Sequence, residues 1–515
     1  MVREYYEKIC AGDEIRANLI RLRDELKEES NRREFAYLLG GDFSLLCSLL
    51  QQEDPKVRKN VALVLGKLES EDLLPILFEA YKKEETLYIR ADYLKAMSGL
   101  DFRPLSEELR ERLSSLRDVD DWQPEEWKHV SEEIRILQAM VLRCQGIRHH
   151  RFGGGRERED VILLTNRRQR EATAEQIQKK SRITMLAGDI RVDGAVLKEI
   201  RAIRTYSEML FPLKVEALPA DQPDRCGVML ADPVLSLTDR IYNGSGTFLF
   251  RLELRGGDKD PSGKDADQMI HVGTYKEKKN SFLRRISDAL ERASGTRLLN
   301  SVTDYEIEIR LVLRKDGTFA AMLKPSSDFD ERFAYRKEHL PTSIAPVNAA
   351  LAAHLALPWL KEGAQILDPF CGVGTMLIER NYACKAGTMY GLDLFGEAVD
   401  KAIRNTRRAG LLVNYINRDF FTFRHEYPFD EVITDMPRST GDGSKSALRQ
   451  LYHDFFARVV DFLAEKAVLV IYTQEPNYVV ESVRAVPALR IEKHFLLNEK
   501  NSTMVFIILR GNESL

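Results

Sequence analysis

Up to about Arg148, apolar side chains recur every three or four residues, with few β-branched runs and no hairpin dipeptide, the period of amphipathic helices. Three segments of this stretch share a plan. Residues 33–40, 58–66 and 90–99 each open on an arginine, carry a helical apolar stripe and close on a glycine. The second follows Asp54 and Pro55, an aspartate able to cap a helix and a proline suited to its first turn. Beyond Arg148 the pattern changes. Residues 148–158 mix glycine with charge, the composition of a solvated linker, and short apolar runs at 161–165 and 228–230 predict strands with helices between them. Residues 247–254 alternate as a half-buried strand does. A helix is predicted over 281–293, with Phe282, Ile286, Ala289, Leu290 and Ala293 inward and Arg284, Arg285 and Arg292 toward solvent. Strands at 305–313 and 318–323 are joined by Lys315, Asp316 and Gly317, a hairpin signal. From Gln365 onward, short apolar strands at 366–367, 389–392, 413–416, 431–434 and 467–472 alternate with helical stretches, which implies a parallel sheet covered on both faces. Residues 489–497 and 502–509 read as a closing edge hairpin.

The pattern predicts a multidomain chain: an all-α helical repeat region at 1–147, a linker at 148–158, an α+β domain at 159–330, and at 331–515 a connector and an α/β Rossmann-like domain. Length agrees, since 515 residues exceed one ordinary core. Apolar content of 44 % and charged content of 30 % argue against wholesale disorder. The first residues lack the apolar core of a secretory signal and no apolar run reaches membrane-spanning length, so the expectation is a cytoplasmic protein with no membrane partner. The 6 cysteines are scattered without a Cys-x-x-Cys pair, which indicates neither a disulfide framework nor a metal site. A net charge of −3 offers no global attraction to a polyanion, so nucleic-acid binding must rest on local basic surface. The N-terminal helices resemble a short HEAT-type stack, whose extended face would suit a protein partner; a plain helical bundle is the alternative.

In open α/β sheets ligands sit at the carboxyl ends of strands, and the candidate chemistry follows that rule. After the first strand comes the string Asp368, Pro369, Phe370, Cys371, Gly372, Val373, Gly374, Thr375, turning into a helix that carries Glu379. Glycines let backbone approach a bound molecule closely. No Gly-Lys-Ser/Thr follows, which excludes a triphosphate cradle of the P-loop type. After the second strand stand Asp393 and Leu394, the aspartate able to accept from both hydroxyls of a ribose. After the third come Asp419 and Phe420, and after the fourth Asp435, Met436, Pro437 and Arg438. An exocyclic amine is a poor nucleophile, because its lone pair is delocalised into the ring. A carboxylate and a backbone carbonyl that accept its two N–H groups aim the nitrogen at an electrophile.

The first of these strings resembles motif I of the class I S-adenosylmethionine-dependent RNA guanine-N2 methyltransferases, and the fourth resembles their Asp/Asn-Pro-Pro-aromatic tetrad. The strand, helix, strand, strand order at 247–323 resembles the core of a THUMP domain, the RNA-binding module placed ahead of such enzymes. Phe333 to Leu355, with Tyr335, Arg336, Lys337, Pro341 and Pro346, is similar to their connector, and 444–456, with Lys445, Leu451, Tyr452, Phe455 and Phe456, to the segment that follows the tetrad. The resemblance implies S-adenosyl-L-methionine held by Asp368, Pro369, Phe370, Gly372, Gly374, Thr375, Asp393, Leu394, Asp419 and Phe420. Asp419 would meet the adenine amine and Phe420 would pack on the ring. It implies a target guanosine N2 held by Asp435 and the carbonyl of Met436 with Pro437 fixing the turn, in tRNA, with rRNA as the alternative. Arg284, Arg285, Arg336, Lys337 and Lys445 are the candidate RNA-binding residues, against the bland reading of a solvated charged face. Arg438 departs from the family's aromatic residue. A guanidinium plane can still stack on a base; the same substitution also fits altered substrate geometry or a catalytically silent scaffold. DNA adenine-N6 methylation is a further alternative.

Overall fold

The computed structural model describes residues 2–117, 122–144, 150–153, 158–177, 181–244, 246–255, 269–272, 275–295, 297–301, 305–326, 330–438 and 445–511. The chain divides into two compact units, Met1–His149 and His150–Leu515. Among the described residues no helix is long and apolar enough to cross a membrane.

In the first unit the helical period becomes helices. The three similar segments fall in Glu29–Leu39, Pro55–Gly66 and Leu87–Met97. Asp54 caps the second, its Oδ1 accepting from the Lys56 N–H at 2.8 Å, with Pro55 in the first turn. Gly66 is required by packing: a Cβ there would lie 2.6 Å from the Ala96 backbone, so only hydrogen lets helices 55–66 and 87–97 meet this closely. Much of the polar burial is compensated, although Glu133 Oε2 and Asn18 Oδ1 have no hydrogen-bond partner. Glu133, fully buried, accepts from Tyr81 and Arg112, and Arg58 forks onto the buried Glu84.

Among its described residues the second unit holds two large sheets and two two-stranded ones. In the first, strands lie in the order Leu298–Asn300, Phe248–Arg255, Ile307–Leu313, Thr318–Pro325, Tyr206–Pro212, Arg158–Thr165, Asp189–Val196, Arg182–Met185. Phe248–Arg255 and Ile307–Leu313 are parallel, with helix Lys279–Ala293 in the crossover between them, and Gly317, at φ 78°, closes the antiparallel hairpin that follows. Helices Pro223–Ile241 and Lys279–Ala293 pack so tightly on each other that a Cβ on Gly227 would reach the Ile286 carbonyl.

Three expectations fail here. Residues 228–230 are helical: Cys226, Leu230, Val234, Leu237 and Ile241 are buried at helical spacing while Val228 is exposed, and a three-residue apolar run is too short to show its period. The expected linker is partly built into the second unit. His150 stacks on Phe248 at 3.7 Å and pairs with Glu306, and Arg151–Phe152 pairs with Tyr242–Asn243. Residues 154–157 lie outside the described residues. In helix Lys279–Ala293 the inner stripe is Phe282, Ile286, Ala289 and Leu290, with Ala293 exposed at its end.

The strands of the second sheet are numbered within it: β1 Gln365–Asp368, β2 Thr388–Asp393, β3 Asn414–Asn417, β4 Phe429–Asp435, β5 Leu463–Thr473, β6 Leu489–Asn498 and β7 Thr503–Arg510. Their order is β3-β2-β1-β4-β5-β7-β6, parallel throughout except for β7. The strand order thus reverses beside β1, between β1 and β4. That reversal opens a crevice at the carboxyl ends of the central strands.

Candidate active site

One cavity of about 480 Å³ occupies this crevice. Its walls bring together Asp368, Pro369, Phe370, Gly372 and Thr375 after β1, Asp393 and Leu394 after β2, Asp419 and Phe420 after β3, and Asp435, Met436, Pro437 and Arg438 after β4. A volume in the range of about 300–1,000 Å³ suits a small organic ligand.

The turn after β1 is shaped from behind. Gly372 and Gly374 hold φ values of 51° and 82°, a region that penalises any side chain. Tyr415 of β3 packs under the turn: a Cβ on Gly374 would collide with its hydroxyl, which is hydrogen-bonded to Thr406 at 2.8 Å. Asp393 ties the turn to β2, its Oδ2 accepting from the Gly372 N–H and its Oδ1 from the Phe395 N–H, both at 2.9 Å. Each oxygen keeps lone-pair capacity for a further donor.

Two buried polar atoms in the wall have no intramolecular hydrogen bond: Asp368 Oδ2 and Thr375 Oγ1. Orphaned groups of this kind are costly, and their position in a ligand-sized cavity marks them as groups awaiting a polar ligand. Asp368 Oδ1 is satisfied by the Thr434 hydroxyl at 2.7 Å and the Phe370 N–H at 3.2 Å. Full burial nonetheless pushes the Asp368 carboxyl up to about 8, against the pull of those two donors. Unfolding returns it to an ordinary carboxylate value of 3.8, so the folded form binds the extra proton. Stability from this group is complete below about pH 4 and is lost as pH rises toward about 8. Asp368→Asn is expected to flatten the fall in Tm of the ligand-free protein between about pH 5 and 8, followed by circular dichroism.

Asp435 ends β4. Burial pushes its carboxyl up to about 7, opposed by the nearby Arg438 guanidinium. Its loop is held on both sides: the Met436 N–H donates to the Tyr472 carbonyl at 2.9 Å, and the Tyr452 hydroxyl donates to the Pro437 carbonyl at 2.9 Å while bonded to Thr473. Arg438 is exposed at the rim. Ser439, Thr440, Gly441 and Ser444 lie outside the described residues.

The other expectations divide. Asp419 is part wall and part cap, its Oδ1 accepting from the Phe421 N–H at 2.9 Å. Phe420 is first a core residue, 2 % exposed among Phe370, Phe455 and Phe462, and it also lines the cavity. Arg336 is half-buried and donates to the Ile344 carbonyl at 2.8 Å, a contact that shapes the connector. Arg285 is engaged by Asp224 and Glu277, and Arg284 is half-buried, so this helix presents less free charge than its sequence promises. Lys337 and Lys445 are exposed. Sequence reasoning missed Leu340, Thr342, Ser343 and Ile344, which the connector lays against the cavity, and Arg418 at its edge. The hint the sequence held is the resemblance of Phe333 to Leu355, with Pro341 and Pro346, to the family's connector. The sequence held no hint of the supporting roles of Tyr415 and Tyr452.

Residues 335–498 match the model of the RMKL-like methyltransferase domain. Residues 14–98 match HEAT repeats. The chain is 26 % identical over 196 residues to a tRNA (guanine(6)-N2)-methyltransferase of Thermus thermophilus, a match covering 38 % of this chain and 57 % of that one. It is 27 % identical over 132 residues to a protein of Thermoplasma acidophilum named "Probable cobalt-precorrin-6B C(15)-methyltransferase (decarboxylating)", covering 25 % and 58 %. The chain thus spans little more than half the length of these two relatives. Over 68 % of this chain and 99 % of the other, the fold is similar to that of the crystal structure of TrmN from Thermus thermophilus, with a TM-score of 0.50 at 18 % identity.

Proposed function

We propose that the chain transfers the methyl group of S-adenosyl-L-methionine to the exocyclic N2 of a guanosine in RNA, with tRNA as the preferred substrate. The observation that carries this reading is a single cavity shared by the Gly372 turn with Asp393 and by the Asp435 loop. The named activity of the Thermus thermophilus relative supports the substrate class.

The cavity suits the donor. Asp393 and Asp419 would meet the ribose and adenine, and the orphaned Asp368 Oδ2 and Thr375 Oγ1 match the polar methionine end. When bound, S-adenosylmethionine supplies a methyl on cationic sulfur, whose carbon–sulfur bond breaks with its electrons left on sulfur as nitrogen attacks. Asp435 accepts an N–H of the guanine amine and the Met436 carbonyl the other, so the nitrogen lone pair is aimed without strong base chemistry. Tyr452 and Tyr472 keep that loop in place. Asp435, with its carboxyl near neutrality, also takes the surplus amine proton after transfer. Arg438 offers a planar cation to stack on the extruded base.

In the same reading residues 159–330 form a THUMP-like RNA-binding domain, with Lys337, Lys445 and the rim residues Arg418 and Arg438 as phosphate or base contacts, and the N-terminal stack at 1–147 carries a protein partner. The test is incubation of the full chain with labelled S-adenosylmethionine and either tRNA or rRNA lacking the modification, followed by digestion to nucleosides. Label in N2-methylguanosine is expected. Label in N6-methyladenosine would move the reading to adenine chemistry, and no transfer to either RNA would leave a scaffold.

A further inference from the structure

The helix that starts at the cofactor turn, Thr375–Ala383, carries two consecutive buried charges that point to different partners. Arg380 is bound within its own sheet, to Glu431 of β4. Glu379 is bound outside it. Arg204, which precedes strand Tyr206–Pro212 of the mixed sheet, forks onto Glu379 with contacts of 2.7 and 2.8 Å, and the Tyr335 hydroxyl of the connector donates to the same carboxylate at 2.7 Å. The Glu379 side chain is 0 % exposed and that of Arg204 20 %. The Arg204 guanidinium also lies over two rings, 4.8 Å from that of Phe333 and 4.3 Å from that of Tyr382. One residue of the mixed sheet thus grips the cofactor helix through a planar, bidentate, desolvated contact, the geometry for which arginine is suited and lysine is not.

Glu379 lies four residues after Thr375, on the same helix face and one turn from the orphaned Thr375 hydroxyl in the cavity wall. We propose that Arg204 is a positioning residue for the methyl donor: acting through Glu379 and Tyr335, it fixes the helix whose first turn lines the donor cavity, so that donor affinity depends on the mixed-sheet domain as well as on the methyltransferase domain. The inference rests on the S-adenosylmethionine reading of that cavity. A second contact between the same two regions serves as its control. Arg168 pairs with Glu499, and Asn166 and Gln169 donate to the Leu497 and Leu496 carbonyls, but these meet the β6–β7 hairpin and not the cofactor helix.

The experiment is calorimetric titration of the full chain with S-adenosylhomocysteine, for wild type, Arg204→Met, Arg204→Lys and Arg168→Ala. Arg204→Met is expected to raise Kd by about fivefold or more, within the usual range of coupling between sites. Arg204→Lys should recover part of the loss, and Arg168→Ala should leave Kd unchanged although it weakens the same junction. A merely structural role would lower Tm in both Met and Ala variants and move Kd in neither. Should Arg204→Met fail to fold with Glu379 left uncompensated, the pair Arg204→Met/Glu379→Gln removes the stranded charge and gives the same reading of Kd. Equal Kd values for wild type and a folded Arg204 variant overturn the proposal. No binding by wild type would instead overturn the S-adenosylmethionine reading itself.

Discussion

Replacing Asp435 by alanine is expected to lower kcat for RNA methylation by about 10²- to 10³-fold, the cost of losing one preorganised polar contact at a reacting centre, while leaving Kd for S-adenosylhomocysteine within about threefold. The separation follows from position. The Gly372 turn follows β1, Asp393 ends β2 and Asp419 follows β3, whereas Asp435 ends β4 on the other side of β1. The pH dependence sharpens the test. Burial pushes the Asp435 carboxyl up to about 7, so below neutrality the free enzyme carries it protonated, with a hydroxyl donor where an acceptor is needed. The wild-type kcat/KM should therefore rise with pH to a plateau above about 7. A cationic donor in the cavity favours the carboxylate, so the limb in kcat should lie at lower pH than that in kcat/KM. Asp435→Asn keeps one acceptor oxygen but cannot titrate, and should show a reduced rate without this limb. Full activity in Asp435→Ala would sink the amine-positioning role.

The same loop shows what the sequence could carry. Asp435, Met436 and Pro437 are legible because each follows a continuous apolar strand, and strand ends in a parallel sheet converge on one crevice whatever the loops do. The glycine turn and Asp393 are legible for that reason too. Local contacts survive as well: the Asp54 cap and the Asp316-Gly317 hairpin involve neighbours a few residues apart. Partners remote in sequence are not legible. Arg204 and Glu379 are separated by 175 residues, and no period or motif announces their meeting. Arg285 reads as a free cation until Asp224, 61 residues away, takes it up. Phe420 fits an adenine-stacking role by position, yet the aromatic cluster of Phe370, Phe455 and Phe462 claims most of its ring. Charge and aromaticity state what a residue can do; packing decides which use is left.

Packing also predicts where the catalytic domain is most vulnerable. Arg380 is fully buried, and its guanidinium donates to both oxygens of Glu431 at 2.7 Å, to the Lys361 carbonyl at 2.8 Å and to the Cys384 carbonyl. Glu431, 1 % exposed, receives the Lys361 N–H as well. An exposed pair such as Arg449 with Glu481, at 64 % and 49 % side-chain exposure, contributes about 0–1 kcal/mol at most. Arg380 differs because its removal strands a carboxylate in the core. Arg380→Met is expected to cost about 3–5 kcal/mol, measured by urea denaturation of the full chain. The pair itself need not be a net gain, since desolvating two ions offsets much of their attraction, so Arg380→Met/Glu431→Met should recover most of that loss. Glu431 and Asp435 lie on the same strand, four residues apart, the first anchored in the core and the second facing the cavity. A double variant that regains stability but methylates slowly would show that the ion pair sets the register of β4 for catalysis. A loss below about 1 kcal/mol in Arg380→Met would mean that water reaches the pair, against the burial seen here.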